Sequence, residues 1–62
     1  MKIRIKTYNG ELPSYLTMGK VYDVEISWFN RKCIMDDTGY PLSFNIENCR
    51  HLNGGSWEIV NE

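Results

Sequence analysis

Residues 15–28 read YLTMGKVYDVEISW and hold the most regular alternation in the chain. Tyr22, Val24, Ile26 and Trp28 fall on one side and Asp23, Glu25 and Ser27 on the other. That period of two puts successive side chains on opposite faces of a sheet, so one face is expected in the core and the other in water. Met18-Gly19-Lys20 sets the start of the strand, because Gly19 adopts a positive φ without a Cβ clash. A slip of one residue would bury Asp23 and Glu25, so the register is expected to be firmly specified.

Working outward, residues 2–8 alternate basic and β-branched side chains and read as a strand with Ile3 and Ile5 inward. Lys2, Arg4 and Lys6 then form a basic ladder, which on an edge strand would discourage pairing with another chain. Asn9-Gly10 signals a turn, and residues 11–17 with Pro13 form a long loop. Leu12, Tyr15 and Leu16 are expected to fold that loop over one open end of the core. After Trp28, Phe29-Asn30-Arg31 forms a hairpin turn in which Asn30 takes left-handed dihedrals. Residues 31–35 return as a strand whose inward face is ambiguous, with Ile34 and Met35 both partly buried if the strand bends.

Asp36-Asp37-Thr38-Gly39 is the strongest turn, with acidic acceptors for early amides and a glycine where φ must be positive. The strand over 40–44 contains Pro41, which removes one amide and places the strand at an edge or a bulge. Ile46, Cys49 and Leu52 recur every third residue, the spacing of a 3₁₀ segment. Residues 53–55 form a loop, and residues 56–60 form the closing strand. These features predict an all-β fold, one small five-stranded barrel, closed or half-closed, with one helical turn before the last strand.

The 62 residues make one domain near the lower size limit for unaided folding. A core of this size rarely contributes more than about 3–5 kcal/mol, so a disulfide, a metal or a partner subunit has to be considered. Eight aromatics argue against disorder. The net charge of -1 does not suit a dedicated duplex binder. It is unevenly spread, with +3 through Lys32 and -4 from Cys33 onward. There is no apolar run of roughly 18 residues and no signal-peptide core, so a soluble protein without membrane partners is expected. Two cysteines, Cys33 and Cys49, read as reduced thiols of a cytosolic protein.

The order of elements resembles an SH3-like barrel, with residues 9–19 in the place of its long first loop and residues 45–52 in the place of its helical turn. LTMGKVYDV, then MDDTG and a carboxy-terminal WEIV, resembles the pattern LTxGKxYxV…DDxG of small uncharacterised proteins of tailed bacteriophages. The shared residues are structural and carry no chemistry. Peptide-binding SH3 domains have a tyrosine-rich first strand, an acidic first loop and a tryptophan after the second loop. This chain has a basic first strand, only Glu11 in the first loop, and Arg31-Lys32 in the corresponding strand, so recognition of proline-rich peptides is not carried over.

No constellation of catalytic residues is present. Cys33, Cys49 and His51 supply at most three ligands and lack the short C-x₂₋₄-C spacing of a structural zinc site. Nucleophilic catalysis would require an exposed thiolate, His51 as base and a third orienting group. Asp36 and Asp37, adjacent in a turn, read as caps of backbone amides. Gly54-Gly55 precedes a strand and lacks a phosphate-loop lysine. No metal, cofactor or catalytic residue is assigned.

The expectation is therefore a non-enzymatic binding module, phage-encoded on the resemblance and acting in a host bacterial cytoplasm by docking on a host or phage protein. A domain this small cannot bury eight aromatics, and Trp/Arg pairs are common at interface hot spots. The partner-binding residues are accordingly Tyr15, Trp28, Phe29 and Arg31. The alternative is weak single-stranded nucleic-acid binding through Lys2, Arg4, Lys6 and Lys32, with Tyr8, Trp28 or Tyr40 stacking on bases. A third reading is a homodimer formed across an edge strand.

Overall fold

The computed structural model describes residues 1–26 and 30–61. Trp28 and Phe29, two of the expected docking residues, lie outside the described residues. Five antiparallel strands, β1 (Lys2–Thr7), β2 (Val21–Ile26), β3 (Lys32–Met35), β4 (Pro41–Ser43) and β5 (Ser56–Val60), form one sheet in the order β4-β3-β2-β1-β5. A 3₁₀ turn, Arg50–Leu52, precedes β5. The fold is all-β, with five strands and a helical turn before the last one, as expected.

β2 serves two ladders. Its first half pairs with β1, as Ile3 faces Tyr22, and its second half pairs with β3, as Val24 faces Ile34. This division lets one strand carry the sheet around a corner. The barrel is not closed. In place of a ladder between β4 and β5, the chain leaving β4 runs back along β5, where Trp57 N–H donates to Ile46 C=O at 2.8 Å and Cys49 N–H to Gly55 C=O at 2.8 Å.

The core contains Ile3, Ile5, Leu16, Tyr22, Ile34, Cys49, Leu52 and Trp57, with Leu12, Tyr15, Val24, Leu42 and Phe44 packed around them. Ile3, Ile5, Ile34 and Leu52 are fully buried, each a gain of about 1.5–3 kcal/mol over exposure. Leu12, Tyr15 and Leu16 do fold the first loop onto the core. Tyr22 and Phe44 meet the Trp57 ring edge-on at 5.8 and 6.2 Å.

Several expectations need correction. Ile26 has the parity of the core face but is 63% exposed, because it lies at the end of β2 where the sheet has run past its core. In β3 the buried pair is Cys33 and Ile34, and Met35 is exposed. The 3₁₀ turn is shorter than the apolar spacing suggested, and Ile46 stays exposed while its carbonyl takes up Trp57. β1 is a central strand, so its lysines do not guard an edge. β4, with Pro41, is at an edge as expected.

Local geometry follows the turn residues. Asn30 and Gly19 have φ of 58° and 85°. Gly55 is a different case, since a Cβ there would sit 2.1 Å from the carbonyl oxygen of Thr7. The start of β5 can approach β1 this closely only with a hydrogen at that position.

The two motif segments meet in space. Asp37 accepts from Thr17 Oγ1 at 2.5 Å, Lys20 Nζ at 2.7 Å and Tyr22 OH at 2.9 Å. Tyr22 OH in turn accepts from the Thr17 amide at 2.9 Å, and Lys20 Nζ lies 5.2 Å from the Tyr22 ring centre. LTMGKVY and DDTG are thus two halves of one polar clasp. Asp36 caps its own turn as expected, with Oδ1 accepting from the amides of Thr38 and Tyr40. Asp37 does not cap amides with its side chain.

Candidate functional site: a cationic groove

A groove of about 660 Å³ opens between the sheet and the helical turn. Arg31 and Lys32 come from the start of β3, and Ser43, Phe44 and Asn45 from the end of β4. Cys49, Arg50 and His51 complete it from the turn side. The opening results from the incomplete barrel, because the chain leaves β4 and reaches the 3₁₀ turn without a ladder between them. Phe44 is half-buried and anchored on Trp57. Cys49 is 1% exposed.

The electrostatics are one-sided. Arg31, Lys32 and Arg50 are exposed, and no carboxylate lines the groove among the described residues. None of the three forms an ion pair or a side-chain hydrogen bond among the described residues. Three other cations are engaged elsewhere: Arg4 Nε lies 2.8 Å from Glu58 Oε1, Lys20 Nζ 2.7 Å from Asp37 Oδ1 and Lys2 Nζ 3.8 Å from Asp23 Oδ1. Three like charges on one groove, with no carboxylate among its described lining residues, favour an anionic occupant.

His51 is held from behind. Tyr15 OH lies 2.9 Å from His51 Nδ1, with the rings edge-on at 5.9 Å. The Tyr15 carbonyl also accepts the Asp37 amide at 3.0 Å, which ties the first loop to the β3–β4 turn. When Tyr15 donates to Nδ1, the proton of the neutral ring resides on Nε2 and is available to an acceptor.

The expected site residues therefore separate. Arg31 and Lys32, assigned to different readings from the sequence, belong to the same groove, and Tyr15 supports it through His51. Lys2 and Arg4 lie on the outer face of β1, opposite Asp23 and Glu58 in the register. Lys6 is exposed on the same strand, away from the groove lining. Arg50 and Phe44 were missed, because Arg50 is the single cation of the acidic half of the chain and Phe44 reads as a core residue.

Cys33 and Cys49 are free and buried. No helix among the described residues is long and apolar enough to cross a membrane. Compared with protein-family models, curated proteins and solved structures, the chain matches none.

Proposed function

We propose that this chain is a non-enzymatic binding module that docks on a protein partner through the groove face. On the resemblance of its LTMGKVYDV and MDDTG segments, it is phage-encoded and modulates a host or phage protein in the bacterial cytoplasm. One observation carries the reading: Arg31, Lys32 and Arg50, from two separate parts of the chain, converge without a carboxylate among the described lining residues. Exposed cations beside a fixed aromatic resemble the composition of a protein interface. Arg31 directly follows the Trp28-Phe29-Asn30 segment, so the hairpin proposed from sequence adjoins the groove along the chain.

Capture from a bacterial lysate on immobilised protein tests it. Arg31→Glu/Arg50→Glu, folded by its amide spectrum, should lose the proteins that the native chain retains. Unchanged capture by the double variant overturns the groove as the docking face. Trp28→Ser/Phe29→Ser in parallel measures the share of the hairpin.

Single-stranded nucleic acid is the second reading, supported by Phe44 among the groove cations. Its original basis is weakened, since Lys2 and Arg4 already face carboxylates. An oligonucleotide titration at low salt decides it, because phosphate-mediated binding is strongest there.

A further inference from the structure

We infer that the groove receives an extended acidic segment of a partner polypeptide, with carboxylates on Arg31, Lys32 and Arg50 and an adjacent apolar side chain on Phe44. This rests on the groove reading above and names its ligand. The charge argument comes first. The three cations have no ion-pair partner among the described residues, and guanidinium groups bind carboxylates through two parallel hydrogen bonds. Lys32 adds a charge with no directional demand.

The backbone supplies the second argument. Asp36 N–H donates to Tyr40 C=O at 2.9 Å, which makes that pair a hydrogen-bonded one in the antiparallel ladder between β3 and β4. By alternation Ile34 and Leu42 form the next such pair, and the peptide groups of Pro41 and Ser43 point to the free edge. Pro41 has no N–H, so Ser43 is the one residue of β4 that presents both a donor and an acceptor there. Ser43 also lines the groove. An extended segment can therefore pair with Ser43 while its side chains reach the cations, the geometry of strand addition at a sheet edge. His51, held by Tyr15, also lines the groove.

The volume fits this occupant. About 660 Å³ lies within the range of roughly 300–1,000 Å³ typical of ligand sites, enough for a short stretch of chain.

The test is an amide-spectrum titration of the intact protein with a synthetic peptide of four glutamates flanking one phenylalanine, at low salt. Octathymidylate and inorganic phosphate are the comparison ligands. The peptide should shift the amides of Lys32, Ser43, Asn45 and Arg50. Its affinity should fall roughly tenfold in Arg31→Ser and again in Arg50→Ser, two exposed positions whose loss leaves the core intact. Replacing the phenylalanine by serine should weaken it further.

The inference is overturned if the peptide causes no shifts at low salt, or if its shifts fall on β1. It is overturned equally if octathymidylate binds tighter than the peptide, or if phosphate alone gives the same shifts at the same affinity. Lysate capture that depends on Arg31 and Arg50 while the peptide fails would discard the acidic segment and keep the groove. Capture indifferent to both residues would discard the docking face itself.

Discussion

Lys20 and Asp37, seventeen positions apart, join ammonium to carboxylate at 2.7 Å and fix the start of β2 against the β3–β4 turn. Asp37 accepts from Lys20, Thr17 and Tyr22, which stabilise its charged form and lower its pKa from an ordinary 3.8 to about 2. Asp36 is also lowered, chiefly by the Thr38 hydroxyl. A carboxylate depressed in the folded state contributes stability above its unfolded pKa and loses it as pH falls through the folded one. Urea midpoints should therefore stay level above about pH 5 and drop between about pH 4 and pH 2. Asp37→Asn should lower the plateau and flatten the acid limb, leaving the slope due to Asp36. An unaltered acid limb would show that the clasp does not form.

Gly55 and Gly19 should respond differently to alanine. At Gly55 the new Cβ would lie 2.1 Å from Thr7 C=O, and backbone cannot yield as a side-chain tip can. Separating β5 from β1 should cost at least the about 1–3 kcal/mol of an overpacked core, a large part of the about 3–5 kcal/mol available. At Gly19 nothing lies within 4 Å, and the penalty comes only from φ of 85°, about 1–2 kcal/mol. Urea denaturation should find Gly19→Ala folded and Gly55→Ala largely unfolded.

Ile34 and Ile26 test the end of the core in the same way. Ile34 is fully buried between Val24 and Leu42, so Ile34→Ala should cost about 2–5 kcal/mol and leave little folded protein. Ile26→Ala, at an exposed site, should stay within about 0.5 kcal/mol of the native chain. Equal losses at the two positions would restore Ile26 to the core.

Tyr15→Phe removes the hydroxyl beside His51 Nδ1 and keeps the ring in place. The lost hydrogen bond should cost about 0.5–1.5 kcal/mol. In nitrogen-15 spectra the native imidazole should show one dominant neutral tautomer, and the variant a mixture. An unchanged tautomer ratio would rule out Tyr15 as the group that orients His51.

The parts of this architecture legible in the sequence are those set by local rules. Alternation in β1 and β2, the Asp36 acceptor and Gly39 of the turn, and the edge position of the strand with Pro41 all follow from neighbours along the chain. Ile26 was misjudged because a period of two specifies which face a residue occupies and says nothing about where the core ends. The ladder of Lys2, Arg4 and Lys6 looked available because its counterions, Asp23 and Glu58, come from flanking strands and are set by register. The groove was hidden for the same reason. Arg50 joins Arg31 and Lys32 only after the chain has turned twice, and Tyr15 reaches His51 across 36 positions.

Pro41 has a wider consequence. Its nitrogen occupies the outer rim of β4, where an incoming copy of the chain would need a donor at every second residue. The opposite rim, at Trp57, is already taken by Ile46. Fibril growth by endless stacking of copies is interrupted at both ends of the sheet, so a concentrated solution of this protein should remain clear and free of amyloid-dye fluorescence.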